Sequence, residues 1–232
     1  MPSSDAEGIS ECFDRCGCAK AKRARPGAIR TVSRLLLELL ERRGLGGRSV
    51  LEPGCGFGGL TRATVTRGAT RATGLDLSPV AIGEATRLAN EAGLAERVTF
   101  AVGDAAQVEL VPFDVVVLDK VICCYPDVDS LLENTIRATG STYAFAVPFS
   151  SGVRGLLARA ALSSENRMRW IRRRAFRAYV HDVKRIESVL ARAGFERVAS
   201  ARRTMWYVAV HQRATTNPQR TPASGLTGPD DH

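Results

Sequence analysis

The segment Val50-Leu-Glu-Pro-Gly-Cys-Gly-Phe-Gly-Gly59 limits the fold of this chain more than any other. A short apolar run breaks into glycines at 54, 56, 58 and 59, the composition of a strand that turns abruptly into a helix. Gly54, Gly56 and Gly59 fit G-x-G-x-x-G, a spacing that lets backbone approach a nucleotide at the first βα turn of a doubly wound sheet.

The flanking sequence repeats that unit. A helix is predicted at about 27–43, with Ile29, Val32, Leu35, Leu36, Leu39 and Leu40 at helical spacing, before the strand Ser49 to Leu51. Next come a helix near 59–67, a strand over 72–77, a helix from Ser78-Pro79 to about Ala92, and strands over 97–102 and 114–118. A helix at about 127–138 and a strand over 143–147 complete five βα units, and their short apolar strands suit a parallel sheet buried on both faces. After Pro148 a basic amphipathic stretch, 151–177, predicts a helical cap inserted after strand five. Residues 183–193 resume as a helix ended by Gly194, and the runs 197–201 and 205–210 form a terminal hairpin. The expected fold is α/β: a Rossmann-like, doubly wound, mostly parallel seven-stranded sheet with an antiparallel last strand and a helical cap. The domain should occupy 14–213, opening with a helical region over 14–44, between a disordered N-terminus (1–13) and a flexible tail (214–232).

The glycines alone do not choose a ligand; charge does. A nicotinamide dinucleotide would set its pyrophosphate near Glu52, which repels it, whereas S-adenosylmethionine brings an ammonium group that Glu52 attracts. Capping of nearby amides is the plain alternative for Glu52, and an NAD-dependent oxidoreductase is the competing reading of the glycines. Asp76 ends the second strand about 20 residues beyond the loop, where both carboxylate oxygens can accept from ribose hydroxyls. Asp104 follows the third strand in register, the position that in a methyltransferase faces the adenine amine; an isolated Gly-Asp is more often a turn.

Val50 to Gly59, Gly74-Leu-Asp76, Gly103-Asp104 and Phe113-Asp-Val-Val-Val-Leu118 resemble the successive motifs of class I S-adenosylmethionine-dependent methyltransferases, over about residues 45–147. That resemblance implies a cofactor site made of Glu52, Gly54, Cys55, Gly56, Gly58, Asp76, Leu77, Asp104, Ala105 and Asp119. More narrowly, Asp119-Lys-Val-Ile-Cys-Cys-Tyr-Pro126, the Tyr179-Val-His181 element and the last two strands are similar to magnesium-protoporphyrin O-methyltransferases and related bacterial enzymes. The N-terminal region and the basic cap depart from the photosynthetic pattern.

Methyl transfer needs an aimed nucleophile more than a strong base, and a hydroxyl acceptor also needs its proton removed. His181, just after the cap, is the candidate base, and a packing role fits it equally. The segment after strand four brings Asp119, Lys120, Cys123, Cys124 and Tyr125 to the methyl group, with Tyr125 a second catalytic candidate. The sequence lacks an Asn/Asp-Pro-Pro-aromatic element and a Pro-Cys pair, which disfavours nucleic-acid bases as acceptors.

Net charge is +9 and concentrated: residues 15–34 hold seven basic side chains and no acid, and 151–177 hold eight Arg against Glu165. These segments suggest a small, carboxylated acceptor, an RNA backbone, or peripheral contact of 151–177 with an anionic membrane; a solvated Arg-rich face is the alternative. Cys12, Cys16 and Cys18 lack the second half of a zinc site, so no metal is expected, and the six cysteines should be thiols. With no apolar run near ~20 residues and no signal-peptide pattern, the expected location is the cytoplasm.

Overall fold

The computed structural model describes residues 7–11, 14, 27, 29–173 and 176–214. Cys12, Cys16, Cys18, Arg174 and the tail beyond Ala214 lie outside the described residues.

Helix α1 (Thr31–Glu41) precedes β1 (Ser49–Pro53), and α2 (Gly59–Thr66), β2 (Arg71–Asp76), α3 (Pro79–Glu91), β3 (Val98–Val102) and β4 (Phe113–Asp119) follow. A 3₁₀ turn (Ile122–Cys124) leads to α4 (Val128–Arg137), β5 (Thr139–Pro148), the cap helix α5 (Gly152–Ile171), α6 (Val183–Arg192), β6 (Phe195–Arg203) and β7 (Trp206–Arg213). The seven strands lie in the order β3-β2-β1-β4-β5-β7-β6. Neighbours pair in parallel from β3 through β5, and β7 runs antiparallel to both β5 and β6. The expected doubly wound sheet with its antiparallel last strand is therefore present.

Residue alternation along the central strands explains the two layers. Val116 and Leu118 of β4 enter one core with Tyr143, Phe145, Leu131 and Leu190, while Val115 and Val117 enter the other with Leu36, Leu40, Leu60 and Val210. With both faces covered, period-2 alternation yields a continuous apolar run instead of an apolar-polar pattern. Ser78 at the start of α3 accepts from the Ala81 amide at 3.0 Å, with Pro79 in the first turn, as the Ser-Pro pair predicts.

The N-terminus departs from expectation. Residues 7–11, inside the stretch predicted to be disordered, are helical. Ile9 is buried, and the Ser10 hydroxyl donates to the Leu77 carbonyl at 2.9 Å. The polar composition of this stretch hid the buried Ile9, and Ser10 ties the segment to the carboxyl edge of the sheet just past β2.

Candidate active site

Reversal of strand order between β1 and β4 opens a crevice at the carboxyl edge, and the loop after β1 forms its floor. Gly54, Gly56 and Gly58 all have positive φ, at 66°, 53° and 64°. A Cβ on Gly54 would lie 2.4 Å from Val121, and one on Gly58 would lie 2.3 Å from the Phe100 ring, so these two glycines permit internal packing. Gly56 is different: a Cβ there meets nothing within 4 Å. It is the glycine whose backbone faces open space.

Glu52 lies beneath this loop, only 3% exposed, and accepts from the Thr61 hydroxyl and amide at the start of α2. Burial pushes its carboxyl up to about 8, with the nearby Asp119 charge adding to the rise. The side chain thus braces the helix entry, the amide-capping role that was the plain alternative in the sequence. Cys55 is also buried, its thiol pushed up by desolvation, and its amide donates to the Leu75 carbonyl at 3.0 Å.

Asp76 uses its two oxygens separately: Oδ2 accepts from the Gly56 amide at 2.8 Å and Oδ1 from the Ser78 amide at 2.9 Å. Burial raises its pKa while these amides oppose the rise. The carboxylate is fixed in orientation between the glycine loop and α3. Leu77 follows it, half-buried. Asp104 Oδ1 accepts from the Ala106 amide and the Tyr125 hydroxyl, each at 2.9 Å. Ala105 is buried, and its carbonyl accepts from Asn134 Nδ2 at 2.8 Å.

At the end of β4, Asp119 Oδ2 accepts from the Ser33 hydroxyl of α1 and from Lys120 Nζ at 2.5 Å. Its other oxygen, Oδ1, is buried with no hydrogen-bond partner. Lys120 has φ of 64°, an unusual conformation for a lysine, and turns the chain at the crevice. The Cys123 and Cys124 thiols both reach back to the Lys120 carbonyl, at 3.4 and 3.6 Å.

The two catalytic candidates are both engaged. The Tyr125 hydroxyl is committed to Asp104, and burial beside that carboxylate raises its pKa above the ordinary phenol range. His181 Nε2 lies 2.8 Å from the Tyr125 carbonyl; because a carbonyl only accepts, Nε2 carries the proton. Burial lowers its pKa. His181 and the Tyr179 amide, which donates to the Cys123 carbonyl at 2.8 Å, fasten the irregular segment 176–180 over the 3₁₀ turn.

Several participants had no distinct sequence signal. Ser33 meets Asp119 across 86 residues, and Arg169 of α5 reaches inward to lie 4.5 Å over the Phe176 ring, with Nη1 buried and without a hydrogen-bond partner. Thr61 was the most readable, since it sits in the first turn after the glycines.

Comparison with known proteins resolves the two readings of the glycine loop. Residues 50–141 match the family described as methyltransferase domain. This stretch is a class I methyltransferase domain. S-adenosylmethionine is the methyl donor of that class, and the dinucleotide reading of the glycines gives way to it. The methyltransferase fold extends beyond the matched stretch. The structure of magnesium protoporphyrin IX methyltransferase from Synechocystis PCC 6803 with bound SAH superposes with a TM-score of 0.70 at 19% identity, covering 91% of this chain and 100% of that one. An O-methyltransferase family protein from Burkholderia thailandensis gives 0.66 at 15% identity, covering 88% and 60%. Over 60 residues this chain is 40% identical to a probable chloroplastic tocopherol O-methyltransferase of Oryza sativa subsp. japonica. That match spans 26% of this chain and only 17% of the relative's length.

Proposed function

We propose that this chain transfers the methyl group of S-adenosylmethionine to an oxygen of a small, acidic molecule. The unpartnered Asp119 Oδ1 carries the cofactor half of this reading. A buried carboxylate oxygen without a donor is costly, and an ammonium group at the end of β4 would satisfy it. Asp76, held by two amides, keeps lone pairs for ribose hydroxyls; Leu77, Asp104 and Ala105 border the base; and the open backbone at Gly56 leaves room for the methionyl chain. Glu52 supports the loop from below through its bonds to Thr61.

The cofactor supplies a methyl group on a cationic sulfur, open to in-line displacement. The chain supplies orientation and exclusion of water: α5 and the 176–180 segment roof the crevice beside Cys124 and His181. An acidic acceptor is supported by Arg169, whose free Nη1–H needs an anion or carbonyl, and by the surplus of Arg around it. Similarity to proteins named as O-methyltransferases supports oxygen as the nucleophile. Tyr125 holds Asp104 and His181 holds the roof, so an ionised carboxylate acceptor, which needs no base, suits the site best.

Two measurements test the reading. Calorimetry should give S-adenosylhomocysteine binding at roughly micromolar strength, weakened by Asp76→Ala; selective binding of NAD would overturn it. Labelled methyl groups transferred into an extract of source cells should appear in a small acidic product whose label is released by mild base, as from an ester. Base-stable label on nitrogen or carbon would overturn the oxygen assignment.

A further inference from the structure

Helix α5 carries an apolar face that is exposed among the described residues. Among the described residues nine large hydrophobic side chains are exposed, and six of them belong to this helix: Val153, Leu156, Leu157, Met168, Trp170 and Ile171. Val153, Leu156 and Leu157 are 64–75% exposed, and Trp170 is 69% exposed. At about 100° per residue, these six side chains fall within one arc of the helix. Gly155, Ala158, Asn166 and Arg169 occupy the opposite arc and face the protein: Gly155 and Ala158 are buried, Asn166 exchanges two hydrogen bonds with Ala178, and Arg169 covers Phe176. The outward face is thus separate from the crevice.

Charge identifies what would cover it. Arg154, Arg159, Arg167, Arg172 and Arg173 are exposed along the helix and just past its end. The sole acid of the stretch, Glu165, is paired with Arg169. A second copy of this chain is a poor partner, because a two-fold contact would press one Arg-rich face against another. No helix among the described residues is long and apolar enough to cross a bilayer. A helix about 30 Å long, apolar outward and bordered by arginine, suits the plane of an anionic lipid surface, with its side chains among the acyl chains and its guanidinium groups at the phosphates.

We propose that α5 docks this protein peripherally on anionic membranes through Val153, Leu156, Leu157, Trp170 and Ile171. The inference does not depend on the identity of the methyl acceptor. It is tested on the full chain with vesicles of phosphatidylcholine, alone and mixed with phosphatidylglycerol. Co-sedimentation is expected with the mixed vesicles and is expected to weaken with salt, and Trp170 emission, followed in a Trp206→Phe background, should shift to the blue on binding. The triple variant Val153→Ser, Leu156→Gln, Leu157→Gln should lose about a hundredfold in partitioning with an unchanged thermal melt. Neutralising Arg167, Arg172 and Arg173 to Gln should cost a similar factor. Absence of binding to either vesicle, or equal binding by the triple variant, overturns the proposal. So does a self-associated state in ultracentrifugation that the triple variant dissolves.

Discussion

The Tyr125 hydroxyl donates to Asp104 Oδ1 at 2.9 Å and so ties the turn after β4 to the turn after β3 at the carboxyl edge of the sheet. Both residues were read from the sequence as separate parts of the site, one for catalysis and one for the base. Their bond makes them one unit. Tyr125→Phe removes a hydrogen bond to a charged group and should lower stability by about 1–2 kcal/mol in urea unfolding. S-adenosylhomocysteine affinity should fall as Asp104 loosens, by roughly tenfold. Unchanged affinity would make the bond purely structural.

Glu52 provides a proton-linked signature. Its folded carboxyl titrates at about 8 against an ordinary 4.5, so the folded chain binds a proton that the unfolded chain releases between those values. Its contribution to stability is complete below about 4.5 and is lost as pH rises through about 8. Glu52→Gln should therefore gain stability relative to the parent as pH is raised across this window. A cofactor ammonium beside Asp119 would pull the Glu52 pKa down. Binding near neutrality should then release protons, seen as a dependence of calorimetric heat on the buffer's ionisation enthalpy. Buffer-independent heats would contradict that arrangement.

The loop glycines should divide by mutation. Gly58→Ala forces a Cβ to 2.3 Å from the Phe100 ring in a positive-φ conformation and is expected to destabilise the fold by about 2–3 kcal/mol. Gly56→Ala meets no atom, so its cost is the left-handed backbone alone, about 1 kcal/mol. Its effect should instead fall on cofactor affinity, because the added methyl projects into the crevice. Urea unfolding and calorimetry on the two variants separate the outcomes, and equal effects on both properties would refute the division.

A buried histidine on β7 sets the acid limit. His211 stacks on Phe145 at 5.6 Å, is 1% exposed, and has neither ring nitrogen hydrogen-bonded; burial pulls its pKa to about 4. The unfolded imidazole takes its proton near 6.5, so stability should fall as pH drops from about 6.5 to about 4 and this loss should level off below. The loss is on the order of 3 kcal/mol. His211→Phe should be less sensitive over that range in denaturant midpoints; a variant that tracks the parent would rule out His211 as the source.

The sequence alone determined the architecture and the order of the site's parts. Strand length, apolar runs and glycine spacing are local, and a doubly wound sheet places the loops after β1, β2, β3 and β4 along one edge whatever the side chains do there. Hence the positions of Gly54 to Gly59, Asp76, Asp104 and Asp119 along that edge follow from the sequence. Tertiary structure decided what each side chain does. Glu52 went under the loop because Thr61 offered it two donors there. Ser33 and Lys120 took one oxygen of Asp119 and left the other alone, and Tyr125 and His181 were bound to Asp104 and a carbonyl. Such pairings span up to 86 residues and depend on ångström-scale approach and burial, quantities that spacing along a chain does not encode.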